Sequence, residues 1–352
     1  MKLPNRRTLC YYVPKAASFC AKGQAMNYRR LGQTDLEVSA LGFGCGAVGG
    51  LLVNGAPAER ERVVARAIEL GVSYFDTAAS YGNGLSEAHL GAALEQLRSS
   101  ALVGTKVQLR AAELGDIERA VVASAEASLT RLRRECVDLF QLHNPIALRR
   151  QPGREWLEVG DLAAVVAACE ALRRQGKIRY WGINGLGDTD ALHQALALVP
   201  AASIQCCFNL LNPSAGAPAP PGFAYQDYRQ LIDVAAAKGV GVIAIRVLAG
   251  GALSGSAARA ANAAPHVDPI ATGQSFLDDV LRSQRFERLV RAGYVEGLAE
   301  AAIRFVIGKP EVATALVGIS DMAQLEQAVA FSAKGPLPAE ALELCQQLLE
   351  QA

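Results

Sequence analysis

The chain has 352 residues, 51% hydrophobic and 20% charged, with a net charge of +1 spread over interspersed bases and acids. That length suits one large α/β barrel or two ordinary domains. The balanced charge excludes a surface built for nucleic acid or anionic lipid, and no apolar run reaches the roughly 18 residues of a membrane span.

Residues 1–25 carry Lys2, Arg6, Arg7, Lys15 and Lys22 and no acid. They are expected to form a loose tail, or to precede a true start at Met26, with a transit peptide as the other reading. The eight cysteines include no C-x-x-C pair and no Cys/His cluster of zinc spacing, which points to reduced thiols in a cytoplasmic protein without a metal centre.

From Met26 onward, residues 28–31 and 36–39 flank Gly-Gln-Thr-Asp and predict a short hairpin. Eight short apolar runs then follow, at 39–44, 73–77, 102–106, 137–142, 180–184, 203–206, 240–246 and 314–319. Most are nearly continuously apolar, as parallel strands buried on both faces are. Helical periodicity lies between them at 58–70, 116–132, 162–174, 188–199 and 228–238. Gly71, Gly176, Pro200 and Gly239 stop four of these helices just before a strand. The alternation predicts a (β/α)8 TIM barrel, one domain over residues 26–352, with the N-terminal hairpin in front. Residues 212–222 and 250–291 are expected as long loops over the C-terminal mouth, where sites in this fold lie. A dinucleotide-binding doubly wound sheet is disfavoured, since no G-x-G-x-x-G opens an early helix.

Four polar residues stand at or just beyond the ends of three consecutive strands. Asp76 ends the second, Lys106 the third and His143 the fourth; Tyr81 follows Asp76 by five residues. Singly, each has an ordinary structural reading: a turn acid, a loop tyrosine beside glycine, a snorkelling lysine, a satisfied core histidine. Together in one barrel mouth they form a costly cluster that points to function. Carbonyl reduction needs a proton donor for the nascent alkoxide. A tyrosine ionises near pH 10, and a neighbouring Lys⁺ is expected to lower that value. The Asp holds the Lys charged, and the His directs the substrate carbonyl.

The motifs Tyr28-Arg-Arg-Leu-Gly-Gln-Thr-Asp-Leu-Glu-Val-Ser, Gly71-Val-Ser-Tyr-Phe-Asp-Thr-Ala-Ala-Ser-Tyr-Gly, Gly104-Thr-Lys, Val137-Asp-Leu-Phe-Gln-Leu-His and Gly176-Lys-Ile-Arg-Tyr-Trp-Gly-Ile resemble those of the aldo-keto reductase family. The match runs from about residue 26 to at least residue 327. Within the family the chain is most similar to the NAD-linked galactose- and fucose-type aldose dehydrogenases. The resemblance implies Tyr81 as general acid/base, with Asp76, Lys106 and His143 completing a tetrad. It also implies an extended NAD(P)H cofactor held without a Rossmann fold, and a small carbonyl or sugar substrate.

It further implies cofactor contacts at Gly44, Cys45 and Gly46 after the first strand, and at Gln205 on the sixth. Ile245, Arg246 and Leu248 follow at the seventh strand, and Gly318, Ser320 and Gln324 at the eighth. Where the family has Ser-Asn after the fifth strand, this chain has Asn184-Gly185, leaving Asn184 for the nicotinamide amide. Ile245 replaces a frequent stacking aromatic. Arg246 suits the cofactor diphosphate or an acid at the rim. No base follows the eighth strand, so NAD is not disfavoured against NADP. A cofactor-binding regulatory subunit, like the potassium-channel β subunits of the same fold, is the alternative function. A metal-dependent hydrolase is disfavoured, because only His143 of the four histidines ends a strand. The substrate and the oligomeric state are not legible.

Overall fold

The computed structural model describes residues 26–151 and 153–350, so the tail expected over residues 1–25 lies outside the described residues. Eight parallel strands close into a barrel in chain order: Leu41–Gly44, Tyr74–Asp76, Leu102–Val107, Val137–Leu142, Ile178–Gly185, Ser203–Cys207, Gly241–Ile245 and Val312–Gly318. They are called here the first to eighth strands. The one register shift falls between Val242 and Ile243, opposite the eighth strand. The (β/α)8 expectation is borne out. Helices Pro57–Glu69, Leu85–Gln96, Ile117–Leu132, Leu162–Arg174, Thr189–Leu198, Leu231–Ala237, Leu298–Ile307 and Met322–Ala333 surround it.

The hairpin pairs Tyr28–Arg30 with Glu37–Ser39 and plugs the barrel floor. Its Leu31, Leu36 and Val38 are buried with Tyr74, Leu102, Leu139 and Ile243, which fill the lower barrel. Gly32, at φ +55, turns between its strands, in a conformation few side-chain-bearing residues adopt. Ser39 belongs to the hairpin and not to the first strand, because its backbone N–H and hydroxyl bond Ser73 Oγ and the Leu41 carbonyl at the bend.

A large apolar layer joins barrel and helices, where Val63, Val64 and Ala67 of one helix and Leu162, Val165, Ala168 and Leu172 of another are buried. A further cluster packs Leu298, Ala301 and Ala302 against Leu289, Phe286 and the last helix, Ala339–Glu350, through Ala341, Cys345 and Leu348. Among the described residues no helix is long and apolar enough to cross a membrane. Nor does any group of three or more His, Cys, Asp or Glu gather there as a metal site.

Candidate functional site

The second, third and fourth strands are neighbours, so their C-terminal ends deliver Asp76, Lys106 and His143 to the same side of the mouth. Asp76 and Lys106 are 3% and 1% exposed, which only a paired arrangement tolerates. Lys106 Nζ forms an ion pair with Asp76 Oδ1. It also donates to the Thr77 carbonyl at 2.8 Å and to Tyr81 Oη at 3.1 Å. Tyr81 is brought back over the barrel by the turn after Asp76, and its ring stands T-shaped against that of His143, centroid to centroid 5.6 Å. His143 Nδ1 lies 3.3 Å from Ser80 Oγ.

The electrostatics differ from the expectation at one point. Lys106 does favour the tyrosinate, but burial outweighs it, and the Tyr81 phenol ionises above its usual value. Asp76 adds to the upward push. Lys106 is itself held above its ordinary value by Asp76 and Tyr81 against the opposing effect of burial. Burial, with Lys106 nearby, drives the His143 imidazole down to about 3. At neutral pH the cluster therefore presents a protonated phenol, an ammonium, a carboxylate and a neutral imidazole.

These residues open into a cavity of about 510 Å³, a size suited to a small ligand or part of a larger one. Gly44, Gly46, Asn184, Gln205, Ile245, Arg246, Leu248, Gly318, Ser320 and Gln324 all line it, beside Asp76, Tyr81 and His143. Cys45 does not. Its thiol is buried in the apolar layer 3.7 Å from the Phe43 carbonyl and is pushed far above the usual thiol range. Strand alternation turns residue 45 away from the side that Gly44 and Gly46 face.

Asn184 donates to the His143 carbonyl at 2.6 Å, and its Oδ1 is buried without a partner. Such an acceptor fits the N–H of a primary carboxamide. A side chain at residue 185 is excluded, since a Cβ on Gly185 would stand 2.5 Å from the Gln205 carbonyl oxygen. Arg246, at φ +58, leaves the seventh strand and makes no ion pair or hydrogen bond through its guanidinium among the described residues. Ser320 donates to the Gly49 carbonyl at 2.6 Å, and its N–H bonds Gln324 Oε1. Asp321 caps the following helix through the Gln324 N–H and does not line the cavity.

Arg259 was not foreseen. It spans the mouth, donating to the Val48, Gly250 and Ala264 carbonyls at 3.0, 2.6 and 3.0 Å. It is the one base in an alanine-rich stretch, the only sequence signal it gave.

The sequence pattern of the aldo/keto reductase family matches residues 40–350. The chain belongs to that family. It is 28% identical over 309 residues to L-galactose dehydrogenase of Arabidopsis thaliana, 86% of each chain being covered. It is also 24% identical over 312 residues to the aldo-keto reductase YhdN of Bacillus subtilis, covering 86% and 87%. Among solved structures, an aldo-keto reductase from Bacillus halodurans in its holo form superposes with a TM-score of 0.67 at 24% identity, over 93% of this chain and 98% of that one. Membership makes the protein an oxidoreductase, of a family that reduces carbonyl groups with NAD(P)H.

Proposed function

We propose that the protein interconverts an aldehyde, ketone or aldose and its alcohol or lactone, with Tyr81 as general acid/base. The observation that carries this reading is Lys106 Nζ, shared between Asp76 and Tyr81 Oη in a buried mouth. NAD(P)H supplies the hydride. In the reducing direction Tyr81 Oη gives its proton to the alkoxide as it forms. Lys106 stabilises the tyrosinate left behind, and Asp76 balances the Lys106 charge. If Ser80 donates to Nδ1, the neutral His143 keeps its proton on Nε2, from which it donates to the substrate oxygen and orients it.

Several residues suit the cofactor. Asn184 Oδ1 suits the nicotinamide amide, and Ile245 offers an apolar platform. The unpaired Arg246 suits the diphosphate. Around the eighth-strand end, Ser320 and Gln324 provide no positive charge for a 2′-phosphate, which supports good acceptance of NADH. Cys45, Cys169, Cys206, Cys207 and Cys345 are free thiols and buried, in keeping with a cytoplasmic setting. An aldose substrate draws support from the likeness to L-galactose dehydrogenase.

The test is absorbance at the nicotinamide band with a panel of aldehydes, ketones and aldoses in both directions. Tyr81→Phe is expected to lower kcat by about 10²–10⁴-fold with little change in NADH affinity. Turnover that survives Tyr81→Phe overturns the assignment. Cofactor binding without turnover on any substrate would favour the regulatory reading. A clear preference for NADPH in measured Kd values refutes the argument from the eighth strand.

A further inference from the structure

Asp76 has more partners than its ion pair requires. Oδ1 meets Lys106, while Oδ2 accepts two further hydrogen bonds from inside the barrel, from Tyr74 Oη at 3.2 Å and Gln205 Nε2 at 2.6 Å. Both donors arise from different strands and both are almost wholly buried. Space for the first is built in: a Cβ on Gly104 would overlap the Tyr74 hydroxyl. Burial next to Asp76 keeps that phenol protonated far beyond its usual range, so it only donates to the carboxylate. The amide orientation of Gln205 is fixed by the same chemistry, because only its NH₂ can bond a carboxylate. Its Oε1 then remains for whatever occupies the cavity that Gln205 lines.

We propose that Tyr74 and Gln205 are positioning residues that clamp the Asp76 carboxylate. The proposal rests on the reading of Tyr81 as the proton donor. With both carboxylate oxygens held, Asp76 cannot rotate, so Lys106 stays aimed at Tyr81. The two donors also spread the carboxylate charge, which adds to the rise that burial causes in the Tyr81 pKa. Removing one donor leaves a more concentrated negative charge near the phenol. Tyr81 is then harder to ionise, which hinders its action as a base more than its action as an acid.

The experiment uses Tyr74→Phe and Gln205→Leu in the full chain. Alcohol oxidation is followed across pH, NADH affinity by fluorescence, and Tyr81 ionisation in the cofactor-free protein by ¹³Cζ-tyrosine NMR, with Tyr81→Phe identifying the resonance. In Tyr74→Phe the basic limb of oxidation moves up by about one pH unit, equal to an about tenfold loss at a fixed pH below it. NADH affinity is unchanged, the Tyr81 resonance moves in the same sense, and the reverse reduction slows less. Gln205→Leu shows the same limb shift. A residue that only fills space would lower the melting temperature and leave the limb and the resonance in place, and that result overturns the proposal. A native protein without turnover would refute the proposed function, and the NMR titration would still decide whether the clamp acts on Tyr81.

Discussion

Replacing Lys106 by methionine removes one charge from the barrel and keeps most of its volume. Asp76, 3% exposed, is then a buried carboxylate without its counter-ion. Breaking a buried pair from one side costs about 3–5 kcal/mol. Tyr74 and Gln205 still bond Oδ2, so the lower end, about 3 kcal/mol, is expected. Urea unfolding midpoints of the parent, Lys106→Met, Asp76→Asn and the double variant measure this. The double variant should recover part of the loss, since no lone charge remains. A deficit under about 1 kcal/mol, or a double variant no more stable than Lys106→Met, would refute the reasoning.

Two other predictions follow from the same site. The His143 imidazole, driven to about 3 by burial and Lys106, should show a Cε1–H resonance that does not move between pH 5 and 8. Because its folded value is depressed, its contribution to stability is present above about pH 6.5 and is lost as the pH falls toward 3, which a comparison of unfolding midpoints with His143→Gln reads. Gly185→Ala should destabilise by about 1–3 kcal/mol through overpacking against the Gln205 carbonyl. It should also weaken NADH binding; a variant with native melting temperature and Kd contradicts the geometry.

The barrel was legible because each parallel strand is a short apolar run and each gap carries helical periodicity. Boundaries moved where side chains or left-handed residues intervened. The helix expected over 228–238 starts only at Leu231, because Arg229 and Gln230 lie at φ +48 and +56. The eighth strand begins at Val312, two residues early, as Val312 continues the apolar run and pairs with Val242. The tetrad residues stood out as polar groups at strand ends, where the fold brings them together. Cys45 was misplaced because adjacency in sequence is not a shared face in a strand. Tyr74 reads as one more apolar-run aromatic, and only the distance to Asp76 marks its hydroxyl. Arg259 reaches three carbonyls through a loop without periodicity, a contact that no local pattern encodes. The sign of the Tyr81 shift was missed because burial depth cannot be read from residue order.

The hairpin that plugs the barrel floor has a practical consequence. Tyr28 Oη reaches the Gly71 carbonyl just before the second strand, so the chain enters the barrel on the side away from the cavity. A fluorophore, affinity handle or surface tether joined directly to residue 26, in place of residues 1–25, therefore starts at the opposite pole from Tyr81, and the protein can be immobilised there with its mouth turned toward the solution.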